Sequence, residues 1–362
     1  MDAIHKVLEL RPPNALAKLG DDSKVCLLNG KDVVRVLRDD PVIIMACNAR
    51  IKHVIPGIMR AAEDLDATIC FELAKTEGDL DGGYTGMDPK TYWETVVSAA
   101  EEIGFTRPFF IHRDHTTVKD TSTESIESAR RILSVSLNEG YTSYSIDASF
   151  NELPDNIRIT ADLARPINDA GLGLEVEVGE IASAGDEGQV TTVEEALMYI
   201  TELTDMGFHP DFLAINNGSK HGNYLPGEDV HVDLVRTLEI YNVVRPFGVV
   251  IAQHGITGTP PNMVGKFADH GIRKGNVATQ WQNMCHDLFP EDLKADIKAW
   301  LEETGKNIKM ATAPFKERID SIPDEHAKAI EDRAYKEARE MLVHFRAPGT
   351  GTKVIERLAE GQ

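Results

Sequence analysis

The chain has 362 residues, 42% of them hydrophobic, which is ample for a large core and long for one ordinary domain, though normal for an α/β barrel. Its 38 Lys and Arg against 59 Asp and Glu leave a formal charge of −21 with no basic block, which excludes nucleic acid and anionic membrane surfaces as partners. No apolar run approaches the roughly 18 residues a membrane span needs, and the opening MDAIHKVLELRPPN lacks a basic region followed by an apolar one. The expectation is a soluble, cytoplasmic protein.

Residues 1–40 read as a helical lead-in. Short apolar, β-rich runs then alternate with longer stretches of helical period: 42–48, 67–73, 109–115, 144–149, 174–179, 212–217, 249–254 and 272–278. Between them lie helical segments such as 88–104 and 192–207, each closing on a glycine, as helix ends prefer. Eight such units predict a TIM (β/α)8 barrel with a parallel sheet. From about residue 286 the strands stop, and charged helix-forming sequence, broken by Pro314 and Pro323, continues to the end. The division expected is a barrel with its lead-in over 1–285 and a helical extension over 286–362, packed on the barrel or on a neighbouring subunit. Four cysteines without metal-ligand spacing read as buried thiols.

Barrel enzymes place their chemistry at the C-terminal ends of the strands. There this chain writes HRDH (112–115), LEVEV (174–178), NNGSKHG (216–222) and QH (253–254). Glu175 and Glu177 are two apart and share one face of the fifth strand, where two inward carboxylates need a compensating cation. His115, His221 and His254 with Glu177 nearby form a nitrogen-rich set that suits zinc and leaves a position open for substrate or water. His112 lies three residues before His115, so strict alternation puts it on the opposite face, outside the ligand set. The loops HGITGT (254–259) and GNVAT (275–279) carry small residues whose backbone N–H groups can approach a phosphate.

On these motifs, in this order, the chain resembles the class II, zinc-dependent ketose-bisphosphate aldolases, which include the fructose-bisphosphate and tagatose-bisphosphate aldolases. The likeness runs from ACNARIKHVIPGIMR (46–60) through IHRDH, SYSIDAS and GLEVEVGEI to the stretch ending NVATQW at 281, most of the barrel. It implies a lyase of carbohydrate metabolism, serving glycolysis and gluconeogenesis. The reaction is reversible cleavage of a phosphorylated ketose, fructose 1,6-bisphosphate first, to dihydroxyacetone phosphate and an aldehyde such as glyceraldehyde 3-phosphate. His115, His221 and His254 correspond to the zinc ligands and Glu177 to a ligand of an alternative or second metal position. Asp114 corresponds to the acid that handles the aldehyde-side hydroxyl proton. The mobile-loop proton carrier falls at Glu187 or Asp186. Asn276 corresponds to a ketone-side contact, and Gly222, Gly255, Thr257, Gly258, Thr259 and Thr279 to the loops for phosphate and a monovalent cation; Asn48 sits at a matching strand end. A homo-oligomer is implied, and a divalent transition metal other than zinc fits the same ligands. Ile256, Thr257 and Ala278 depart from the family pattern at substrate-facing positions, so another anionic ketose stays open: tagatose bisphosphate, a ketose monophosphate or a sulfonated ketose. A zinc-dependent barrel hydrolase using the same histidines, or a non-catalytic sugar-phosphate binder, are the rival readings.

Overall fold

The protein is described by a computed structural model that covers residues 2–20, 22–179, 190–219 and 231–361. Eight parallel strands close in sequence order: β1 Ile44–Asn48, β2 Ile69–Ala74, β3 Phe109–Thr117, β4 Ser143–Asp147, β5 Gly173–Val178, β6 Phe212–Ile215, β7 Val250–Gln253 and β8 Ile272–Val277. Pairing of β1 with β8, Met45 opposite Gly275, shuts the barrel. The expected (β/α)8 architecture is therefore the one found. Helices cover the outer face, so β1 and β4 to β8 are buried along their whole length, which explains the near-continuous apolar runs in the sequence.

The intervening helices begin and end where their caps dictate. Asp88 accepts from the amide of Thr91 and Pro89 takes the first turn of the helix Pro89–Ile103; Gly104 ends it at φ 66°, a left-handed conformation that costs glycine little. Thr192 and Glu195 form a reciprocal capping box at the start of Val193–Asp205.

The lead-in folds as three short helices, Ala3–Leu8, Pro13–Leu16 and Gly30–Leu37, and closes the N-terminal end of the barrel. Leu28 donates to the carbonyl of Phe109 (2.8 Å) and Gly30 to that of Thr142 (3.1 Å). Beyond β8 the chain is helical, and the long helix Asp324–His344 lies across Ile55–Asp64. Gly57 permits that approach: a Cβ there would stand 2.1 Å from the carbonyl oxygen of Glu331. The last helix, Thr350–Ala359, returns to the lead-in. One short segment of the extension, Ile308–Ala311, reaches the C-terminal mouth of the barrel instead.

Candidate active site

Inside the barrel the polar side chains are stacked in two layers. The lower one, at mid-strand, holds Glu72, His112, Glu175 and Lys274, all with no exposure. Two residues further along the same strands, hence on the same face, come Asp114, Glu177 and Asn276, joined by Asn48 of β1. Above them opens a cleft of about 780 Å³ whose wall includes Asn48, Asp114, His115, Asp147, Glu177, His254 and Asn276.

In the lower layer Lys274 Nζ lies 2.9 Å from Glu72 Oε2 and 3.0 Å from Glu175 Oε2, and donates to Asn276 Oδ1 at 2.8 Å. Burial alone would lower the ammonium's pKa, but Glu175 and Glu72 outweigh it and hold it protonated. Glu175 is pulled well below the carboxylate range, against its burial, by Lys274 and His254, whereas burial and then Asp114 push Glu72 well above it. The layer thus sets one ammonium between two carboxyl groups of opposite tendency, Glu175 toward the anion and Glu72 toward the protonated acid. His112 is neutral beside them, burial and Lys274 pushing it down to about 3, with Nδ1 2.8 Å from the hydroxyl of Ser143.

This layer corrects two expectations. His112 does not turn away from the barrel interior: it shares a face with Asp114, two residues on, and its Nε2 is 3.7 Å from Glu175. It is His115 that breaks the alternation. The β3–β4 register shifts between Arg113 and Thr116, and His115 takes φ 35°, a left-handed value unusual for a side chain with a Cβ. The bulge brings neighbouring residues 114 and 115 to one cleft. The second correction concerns Glu175, whose compensating cation is Lys274 of the protein itself.

The upper layer is compensated differently. Among the described residues no lysine or arginine is ion-paired with Asp114, Asp147 or Glu177. His115 Nδ1 is 3.1 Å from Glu177 Oε2 and 3.4 Å from Asp147 Oδ2, and the His115 and His254 rings meet edge to face at 4.3 Å between centroids. His254 Nε2 lies 3.0 Å from Glu175 Oε1, and its Nδ1 is on the side of Asn276, 3.4 Å from Nδ2. Potential metal-ligand atoms of Asp114, His115 and His254 fall within 4.8 Å of one another, as do those of His115, Asp147 and Glu177. Burial lowers the His115 pKa, but Asp114 and Glu177 override it and raise the net value well above normal; burial followed by Asp147 pushes Glu177 up to about 8. His254 is lowered by burial and His115, which leaves a neutral imidazole, the form that ligates metal. Two imidazoles with a surplus of buried carboxylate, and among the described residues no lysine or arginine paired with it, are a donor set that fits a divalent metal.

Asp114 is fixed at both oxygens: Asn48 Nδ2 donates to Oδ2 at 3.0 Å and Asn276 Nδ2 to Oδ1 at 3.1 Å. Burial would raise its pKa, yet His115, Lys274 and His254 hold it well below the usual range, so that it stands as an anion. Gly255, Thr257, Asn276 and Thr279 line the cleft, Thr257 Oγ1 accepting from the amide of Gln280 (3.3 Å) at the start of the helix Thr279–Leu288. Gly258 and Thr259 follow in the same turn, where the amide of Thr259 donates to Ile256 (2.9 Å). His221, Gly222, Asp186 and Glu187 lie outside the described residues. Sequence reasoning missed Lys274, Glu72, Arg50 and Glu77. Lys274 carried one signal, its place two residues before Asn276 on a strand whose inward face was already assigned.

A family model described as fructose-bisphosphate aldolase class-II matches residues 29–332. The chain belongs to this family. Relatives include the fructose-bisphosphate aldolase of Streptococcus pneumoniae, 24% identical over 316 residues, covering 83% of this chain and 99% of that one. The fructose-bisphosphate aldolase of Thermus caldophilus is 27% identical over 309 residues, covering 83% and 90%. Among solved structures, fructose-bisphosphate aldolase from Campylobacter jejuni superposes with a TM-score of 0.65 at 15% identity, covering 90% and 97%. The YdjI aldolase of Escherichia coli K12 gives 0.63 at 18% identity, covering 90% and 99%; at these identities the likeness is one of fold. As a class II aldolase the protein is a metal-dependent lyase that cleaves a carbon–carbon bond of a sugar phosphate. Among the described residues no helix is long and apolar enough to cross a membrane.

Proposed function

We propose that the aldolase acts on fructose 1,6-bisphosphate with zinc as its metal, in the cytoplasm and as a homo-oligomer. The observation that carries the reaction is Asp114, an anion held at both oxygens by amide donors beside a cluster of two imidazoles and spare carboxylates. His115 and His254, with His221 from the chain outside the described residues, would hold the ion, and Glu177 and Asp147 would supply an adjacent position. Bound there, zinc supplies Lewis acidity toward the ketone-side oxygens of the substrate.

The protein's own groups then divide the proton work. Asp114 takes the proton from the hydroxyl on the carbon that becomes the aldehyde, as the carbon–carbon bond breaks and its electron pair passes to the ketone-side carbon. That carbon receives a proton from Glu187 or Asp186. Asn276 orients the ketone-side fragment, and the turns at Gly255, Thr257 and Thr279, with Gly222, Gly258 and Thr259, receive its phosphate, neutralised in part by backbone N–H groups and a monovalent cation. These small-residue turns after β7 and β8 support a phosphorylated substrate.

The test is a coupled assay for dihydroxyacetone phosphate release from fructose 1,6-bisphosphate, before and after chelation and with zinc restored. Activity that vanishes with chelator and returns with zinc is the expected result. Metal-loaded protein that leaves fructose 1,6-bisphosphate intact and cleaves tagatose 1,6-bisphosphate or a ketose monophosphate would overturn the ketose and keep the reaction.

A further inference from the structure

The amides that hold Asp114 are themselves held, and from opposite sides. Asn276 accepts the Lys274 ammonium on Oδ1, so its NH2 must face Asp114. Among the described residues no cation holds Asn48 in this way. Its Nδ2 is shared between Asp114 Oδ2 and Glu77 Oε2, each at 3.0 Å, and two carboxylates that only accept leave the amide one orientation. Glu77 is 3% exposed, in the turn after β2, and every hydrogen-bond partner of its carboxylate is a donor. Oε1 accepts from Arg50 Nε (2.8 Å) and Nη2 (2.5 Å) and from the Tyr84 hydroxyl (3.1 Å); Oε2 accepts from the amide of Ala74 (2.9 Å) as well as from Asn48. Arg50 Nη1 continues to Gln282 Oε1 (2.9 Å), and Gln282 Nε2 to the carbonyl of Lys309 (3.1 Å) in the extension. A chain of hydrogen bonds thus runs from the C-terminal extension to the carboxylate at the centre of the site.

We infer that Glu77, anchored by Arg50 and Tyr84, is a positioning residue for Asp114 and acts through the Asn48 amide. It sets where the Asp114 oxygen stands against the aldehyde-side hydroxyl and has no part on the ketone side. The inference rests on the reading of Asp114 as the group that moves that hydroxyl's proton. In Glu77→Gln the new amide cannot serve both neighbours: its carbonyl oxygen can satisfy either Arg50 or Asn48, and its NH2 then opposes a donor at the other. Asn48 loses its fixed orientation and Asp114 one of its two clamps.

The experiment compares two reactions of the metal-loaded protein. Cleavage of the ketose requires the aldehyde-side proton transfer. Exchange of the dihydroxyacetone phosphate proton with deuterium from solvent engages the ketone side alone. Glu77→Gln is expected to lower kcat for cleavage by about 30-fold, the scale of a small misplacement, with KM and the exchange rate within about threefold of wild type and metal content unchanged. Placed on Asn48→Ala, the same substitution is expected to add less than about twofold, because its route to Asp114 is already cut. Parallel loss of cleavage and exchange, or effects that multiply in the double variant, would overturn the proposal. Tyr84→Phe removes only one bond to Glu77 and serves if the glutamine variant does not fold: a selective loss of cleavage sustains the proposal and none overturns it. Asp114→Asn is run alongside. If it fails to spare exchange, the reading of Asp114 falls; if it spares exchange while Glu77→Gln changes nothing, only the role of Glu77 falls.

Discussion

Two carboxylate layers lie one above the other in this barrel, and they are compensated differently. In the lower layer Lys274 sits between Glu72 and Glu175 at 2.9 and 3.0 Å, so the protein supplies the compensating cation itself. In the upper layer Asp114, Asp147 and Glu177 face two histidines and, among the described residues, no lysine or arginine is paired with them. The first arrangement is permanent, built when the chain folds. The second has negative charge to spare and a nitrogen, on His115, for which a proton and a metal ion compete. Among the described residues, the acidic cluster that could hold a metal is the one not paired with a lysine or arginine, and the adjacent layer is the one that Lys274 fills. A third case sits just before β6: Asp211, burial raising it to about 7 against a bond from the Leu174 amide, is compensated by a tighter hold on its proton.

The contrast predicts separable losses. The largest is at the upper layer: His254→Ala is expected to abolish metal retention and lower cleavage by about 10³-fold or more, the equivalent of the several kcal/mol a Lewis acid contributes. Metal analysis of the purified variant beside its kinetics checks this. Asp114→Asn should cost about 10²- to 10⁴-fold in kcat, the range of a lost general acid or base, with metal content as in wild type; full turnover in metal-replete Asp114→Asn would remove Asp114 from proton transfer. Lys274→Met strips the lower layer of its cation and should destabilise the fold by about 3–5 kcal/mol, as for one partner removed from a buried pair, read as a fall in denaturation midpoint with and without metal. Zinc at 100 times its Kd should raise wild-type stability by about 2.7 kcal/mol and leave His254→Ala unmoved. A last effect, read in pH rather than in metal, belongs to Asp211. Its folded pKa, about 7, exceeds its ordinary 3.8, so the folded state keeps a proton that the unfolded chain releases. Its contribution is fullest below pH 4 and is lost as pH rises through 7; Asp211→Asn should flatten that part of the stability profile.

The barrel was legible because eight apolar runs of strand length alternate with helical period, a signal carried by many residues at once. Asp114, His115, Glu177 and His254 were legible as polar side chains at strand ends, where a barrel gathers them. The face of His112 was misread because alternation assumes an unbroken ladder, and the register shift that seats His115 is fixed by pairing with β4, which one strand's sequence does not display. Lys274 and Glu72 lie 202 positions apart by number and meet only across the closed barrel. Arg50 and Glu77 sit in turns with no periodicity to betray them, and their bond depends on how two loops fold over β1 and β2.

The left-handed turn at His115 has a mechanical consequence. With the His115 imidazole and the Asp114 carboxylate on consecutive residues of one strand, β3 carries both as a single lever. Breathing of the barrel, thermal expansion or a distant substitution that shifts the strand moves the two together, so their separation stays nearly constant while their distance to the opposite wall changes. Tuning such a site for a larger or smaller sugar therefore falls to the facing segments, at Ile256 and Ile308, which line the cleft and stand outside the hydrogen-bond chain that ends on Asp114.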